Sequence, residues 1–174
     1  MFQYQGQVNR IDVSTDTDYA GCELTRKSTS GGVVQLGAHM IKSWSSTQGI
    51  VSLSSGEAEY YGLVKGSTVG IGIKSMMNDF GGDLKLRVST DASAAKGIAS
   101  RRGLGKVRHI DVAQLWVQDK VLSGDIELRK IKGEDNLADS LTKYVDSAKL
   151  GRHLEYTAQL ITAGRHVLMP EVAD

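Results

Sequence analysis

The chain has 174 residues, 40% of them hydrophobic and 24% charged, which suits one ordinary domain with a single core. Its 21 Lys and Arg against 20 Asp and Glu leave a net charge of +1, too little for bulk charge to mark a nucleic-acid binder. The lone Cys22 excludes an intramolecular disulfide, no Cys or His spacing suggests a zinc site, and no apolar run approaches the roughly 20 residues of a membrane span; an intracellular chain, cytoplasmic or nuclear, is expected.

Twenty glycines stand against one proline, Pro170, so glycine does the punctuating. Arg10 to Thr15 alternates apolar and polar residues and predicts a strand that ends in Asp16-Thr17-Asp18. Gly31-Gly32 opens a second strand, Val33 to Leu36, and Gly37-Ala38 turns into a third, His39 to Trp44. A helix is expected from about Gly56 to Asn78, begun at Ser54-Ser55 and weakened by Gly62, Gly66, Gly70 and Gly72. Leu84 to Thr90 alternates again, giving a fourth strand that runs into Asp91, and a short helix, Ala92 to Ser100, follows. Ile110, Ala113, Val117 and Val121 recur at helical spacing before a fifth strand, Asp125 to Ile131. Glu134 to Lys143 and Ala148 to Thr162 are the last helical candidates. The order β-β-β-α-β-α-α-β-α-α implies a mixed α/β sheet covered by helices.

Two strands that run into aspartate, Thr15-Asp16 and Thr90-Asp91, are the first chemical clue. On adjacent strands the two carboxylates would lie side by side, and like charges so placed repel unless cations sit between them. A strand-ending aspartate taken alone is more often a turn former or helix cap. No Gly-x-Ser-x-Gly elbow and no phosphate-cradling Gly-x4-Gly-Lys-Ser/Thr loop is present, and Cys22 has no base beside it in sequence.

The stretches Val13-Ser14-Thr15-Asp16-Thr17-Asp18-Tyr19-Ala20-Gly21, Thr25 to Gly32, Ser43-Trp44-Ser45-Ser46 and Leu53 to Tyr60 follow one another in fixed order. Ser89-Thr90-Asp91, Arg108-His109-Ile110-Asp111 and Asn136 to Lys143 continue the series. Together, over roughly residues 11 to 150, they resemble the ribonuclease H domain of copia-type LTR retrotransposons. The resemblance implies a ribonuclease H-like fold, with a five-stranded mixed sheet of three antiparallel and then parallel strands, flanked by helices. It also implies a single domain over 1–174, with a core at about 10–145 and a C-terminal helical tail at about 146–174.

The activity implied is metal-dependent endonucleolytic cleavage of the RNA strand of an RNA–DNA hybrid, with two Mg2+ or Mn2+ ions held by four carboxylates. Carried over by position, these are Asp16, Glu59, Asp91 and Asp139. Asp16 is chosen over Asp18 because the residue directly after the Ser-Thr strand end matches the family's catalytic position. Glu57 and Glu59 lie about 200° apart on a helix, so one faces the sheet; the family pattern of an Ala-Glu pair followed by a bulky residue and then Leu favours Glu59, and Glu57 reads as a first-turn acid. Glu134 and Asp135 read as helix-initiating acids, and Asp111 as an acid at a helix N-terminus. Hard oxygen donors suit Mg2+ or Mn2+, and two such ions about 4 Å apart activate a water and stabilise the leaving 3′ oxygen. Cellular relatives of type 1 carry a histidine shortly before the last aspartate. Here Ile131 to Asn136 has none, and His109 is the central candidate to replace it, with a packing role equally open.

Between Ala92 and His109, Lys96, Arg101, Arg102, Lys106 and Arg108 stand without an acid, threaded by Gly103 and Gly105. Such a run suits a phosphate-contacting loop, which with His109 forms one candidate substrate surface. Arg26, Lys27, Ser28 and Thr29 form another, suited to a nucleic-acid backbone or a 2′-OH. Trp44 and Trp116 read as core residues. A monomer is expected, with the hybrid and a reverse transcriptase domain as partners. A second reading keeps the fold as a module that binds hybrid or reverse transcriptase without cutting, and a third makes it a DNA resolvase or integrase-like nuclease. The full set of four acids and the motifs from Thr25 to Lys143 favour the hybrid-cutting enzyme.

Overall fold

The computed structural model describes residues 4–105 and 110–159. A five-stranded sheet is built from β1 (Arg10–Asp18), β2 (Thr29–Leu36), β3 (His39–Thr47), β4 (Lys85–Thr90) and β5 (Ile126–Lys130), in the spatial order β3-β2-β1-β4-β5. The first three strands pair antiparallel, β1 and β2 through the loop 19–28 and β2 and β3 through the turn Gly37-Ala38, whereas β4 and β5 join in parallel after helical crossovers. Helix α1 (Ser55–Asp79) makes the first crossover; α2 (Ser93–Ala99) and α3 (Trp116–Leu122) make the second, and α4 (Ser147–Tyr156) closes the described chain.

The alternation read in the first strand is real: Ile11 and Val13 are fully buried and pack with Val34, Leu86, Val88, Tyr60 and Leu63. The strand nevertheless continues to Asp18, so Asp16 lies inside the ladder opposite Gly31 instead of at its end. β2 starts earlier than expected, at Thr29, and β3 runs on to Thr47.

Helix α1 extends over 25 residues despite its glycines, because three of them form its sheet-facing stripe. A Cβ on Gly62 would stand 2.4 Å from Thr17 Oγ1, on Gly66 2.3 Å from Thr15 Cγ2, and on Gly70 2.7 Å from Leu86 Cδ1. These glycines let the helix approach the sheet closely, so tertiary packing outweighs their poor helix propensity. Gly72 faces open space. The N-cap is Ser54, whose Oγ accepts from Glu57 N at 3.2 Å, while Glu57 Oε2 accepts from Leu53 N at 2.8 Å. This reciprocal arrangement confirms Glu57 as the first-turn acid.

One helical expectation fails. Glu134 to Lys143 is two 3-10 turns, Gly133–Asp135 and Asp139–Leu141, not a helix. Asn136 breaks it: fully buried, its Nδ2 donates to Thr15 O at 3.0 Å and its Oδ1 accepts from Ala138 N at 3.2 Å, taking the backbone out of helical pairing. Glu134 pairs instead with Lys132 at 3.5 Å. Asp111 caps a 3-10 turn, Val112–Gln114, by accepting from Ala113 N. The helix expected over Ala148 to Thr162 stops short: α4 ends at Tyr156, and Ala158 takes a left-handed φ of 52° that turns the backbone out of the helix. α4 buries His153, and its end is tied to the sheet by Gln35 Nε2 donating to Tyr156 O at 2.9 Å. Residues 160–162 lie outside the described residues. Both tryptophans are half-buried against the core.

Candidate metal and active site

Strand parity and pairing bring the carboxylates together. Val13, Thr15 and Thr17 face the glycine stripe of α1, so Asp16 projects from the opposite face, towards the turn that carries Leu141 and Thr142. The parallel pair Thr15↔Thr90 ends the β1–β4 ladder, which leaves Asp16 and Asp91 on neighbouring chains at the same sheet edge. Glu59, in the second turn of α1, supplies the third group. One carboxylate oxygen from each of Asp16, Glu59 and Asp91 lies within 4.8 Å of the others. Gly133 sits against this group, and a Cβ there would be 3.2 Å from Asp91 Oδ2.

Three negative groups so close are costly without a cation. Burial, followed by the neighbouring Asp16 and Asp91 carboxylates, pushes Glu59 up to about 8. Burial also raises Asp16, against the lowering effect of the Thr142 hydroxyl that donates to it and of Lys143. Glu59 Oε2 is buried with no hydrogen-bond partner. An all-oxygen anionic group with one orphaned carboxylate oxygen, and neither His nor Cys among its members, fits a hard divalent ion such as Mg2+ or Mn2+.

Asp139 is linked to Asp16 through Lys143 and is balanced differently. Lys143 Nζ lies 2.6 Å from Asp139 Oδ1 and 3.6 Å from Asp16 Oδ2, and Lys149 Nζ, from α4, donates to Asp139 Oδ2. Burial alone would raise Asp139, but hydrogen bonds from Lys143 and Lys149 hold it below its ordinary value. Asp18 lies two residues beyond Asp16, but its carboxylate folds over Gly21, where an added Cβ would meet Oδ2 at 1.8 Å.

The anticipated substrate surfaces are met unevenly. Arg26 is exposed, with a left-handed backbone (φ 56°), and Lys27 and Thr29 are half-buried. Ser28 is fully buried and accepts from Ala20 N at 3.0 Å, which shapes the loop. Arg101 is half-buried, its Nη2 donating to Leu104 O at 2.6 Å. Arg102 is exposed. Lys106, Arg108 and His109 lie outside the described residues. The loop is stitched down by Gln118, which accepts from Gly103 N and donates to Ile98 O and Gly103 O. Neither Gln118 nor Lys149 carries a sequence signal, whereas Asn136, Thr142 and Lys143 stand inside the quoted Asn136-to-Lys143 motif.

No protein-family model matches the chain. It is 31% identical over 137 residues to the retrovirus-related Pol polyprotein from transposon TNT 1-94 of Nicotiana tabacum, covering 78% of the chain and 10% of that relative. It is 30% identical over 148 residues to the corresponding polyprotein from transposon RE1 of Arabidopsis thaliana, covering 82% of the chain and again 10% of the relative. The chain thus spans about a tenth of the length of the curated relatives it matches. Among solved structures it resembles the N-terminal RNase H domain of a Mycobacterium tuberculosis protein, solved as a maltose-binding-protein fusion (TM-score 0.54, 20% identity, 84% of this chain and 99% of that one). It also resembles LC11-RNase H1 isolated from compost (TM-score 0.51, 18% identity, 76% and 92% covered). At these identities the structural likeness shows the fold.

Proposed function

The chain folds as a ribonuclease H domain and is homologous to a segment of retrotransposon Pol polyproteins, and from that premise we propose that it cleaves the RNA strand of RNA–DNA hybrids. The observation that carries this reading is the convergence of Asp16, Glu59 and Asp91 within 4.8 Å at one end of the sheet. Asp16, Glu59 and Asp91 would hold one divalent ion, Mg2+ or Mn2+, and Asp16 with Asp139 a second. Such ions make a bound water nucleophilic and stabilise the leaving 3′ oxygen.

The chain's own residues prepare that site. Thr142 fixes Asp16 by hydrogen bonding, and Asn136 anchors the Asp139 turn to Thr15 on the same strand. Glu59, pushed up to about 8 by burial and by the Asp16 and Asp91 carboxylates, would hold an ion in its deprotonated form. Arg26, Lys27, Thr29 and Arg102, joined by Lys106, Arg108 and His109, would contact the hybrid backbone; Ser28 and Arg101 would shape the surfaces that carry them. Residues 1–174 would act as one monomeric domain beside a reverse transcriptase inside the cell. Among the described residues no helix is long and apolar enough to cross a membrane.

Incubation with Mg2+ or Mn2+ and labelled RNA–DNA hybrid, duplex DNA and duplex RNA tests it. Hybrid-selective cleavage is expected, lost in Asp16→Asn and Asp91→Asn with hybrid binding retained. Binding without cleavage by the wild type would favour the non-cutting module, and cleavage of duplex DNA the resolvase-like reading.

A further inference from the structure

The carboxylates share one edge of the sheet but meet different cations. Glu59 keeps a buried oxygen without a partner. Asp139 has both oxygens occupied by ammonium groups, Lys143 on Oδ1 and Lys149 on Oδ2. Lys143 also reaches Asp16 Oδ2 at 3.6 Å, so its ammonium bridges Asp16 and Asp139, as a metal ion shared by those two residues would.

Resting on the reading above, we infer that Lys143 is a built-in occupant of the second cation position, and that the chain loads divalent ions in order. The first ion enters the Asp16–Glu59–Asp91 group, where among the described residues no ion pair to a Lys or Arg reaches Glu59 or Asp91 within 4.0 Å and Lys143 touches only Asp16, at 3.6 Å. The second binds between Asp16 and Asp139 only by displacing Lys143, whose side chain is 49% exposed and hangs on a flexible four-carbon stem able to swing into solvent. Lys149 is less exposed, at 19%, and also donates to Gly133 O at 3.4 Å, so it stays as a clamp that orients Asp139 from α4. Without divalent ions, Lys143 neutralises the pair and keeps the turn in place. With them, it sets the concentration at which the second ion arrives.

Manganese titration calorimetry on the full chain tests this without any substrate. The wild type should take up one ion tightly and a second more weakly. Lys143→Met should tighten the second step by about tenfold while changing the first by less than about threefold, the scale expected for removing one close ammonium from a partly solvated site. Lys132→Met is the control for generic charge removal, since Lys132 is 78% exposed and pairs with Glu134. A second step no tighter in Lys143→Met, or tightened equally by Lys132→Met, would overturn the inference. Lys143→Gln, with circular dichroism of each variant, keeps the test decisive if the methionine variant misfolds. No manganese uptake by the wild type, or uptake indifferent to Asp16→Asn, would instead sink the metal-dependent function itself.

Discussion

Glu59 illustrates how a single side chain couples the fold to its chemistry. Its carboxyl, at about 8 in the ion-free chain, lies above its value of 4.5 in an unfolded chain, so the folded state holds a proton that the unfolded state releases. Stability from this group is complete below 4.5 and is lost as pH rises through about 8. The melting temperature measured in EDTA should therefore fall between pH 6 and pH 9, and Glu59→Gln should flatten that slope. Asn136 ties the Asp139 turn to β1, and Asn136→Ala should lower unfolding free energy by about 1–3 kcal/mol in urea titrations, because Thr15 O loses that buried donor. At this scale the sequence is unevenly legible. Asp16 and Asp91 stand out because each directly follows a Ser-Thr pair on an alternating strand, and Glu59 because one helix face admits only one of two nearby acids. Ser28 and Arg101 bond to their own loops, and a polar side chain reads the same in sequence whether it meets a ligand or its own loop. Lys149 is silent, since nothing in the spacing tells where α4 docks.

The elements were legible where one periodicity governs them, as in β1, β4 and α1. They were not where side chains compete with the backbone for hydrogen bonds, as around Asn136, or where a helix's weakness in isolation is its strength in packing. Helix α1 is the clearest case of the latter. Substituting Gly66 by Val brings branched carbon into the space held by Thr15 and Val13. Any helix-propensity gain is then outweighed by overpacking, and a net loss of about 1–3 kcal/mol is expected by thermal or urea unfolding. Because Thr15 adjoins Asp16, the same variant should also weaken manganese binding, whereas Gly72→Ala, which meets open space, should leave both properties within about 0.5 kcal/mol or slightly improved.

For the whole molecule, a net charge of +1 conceals an uneven distribution. Bound divalent ions would offset the acidic edge while the basic stretch from Lys96 onward stays positive, so hybrid affinity should depend on metal and fall steeply with salt. Arg102→Ala should reduce the slope of log affinity against log salt by roughly 0.7–0.9 if that side chain meets one phosphate, read by fluorescence anisotropy across a salt series. The strand order β3-β2-β1-β4-β5 carries a kinetic consequence as well. Central β1 meets β2 through a local connection, but it meets β4 only after more than seventy residues have joined the chain, and Asp139 lies some fifty residues later still. Loop-closure entropy makes such distant pairing slow compared with the opening meander. During synthesis the sheet's first half can therefore close while the carboxylate group is incomplete, and the proposed cleavage would begin only when the turn that carries Asp139 docks.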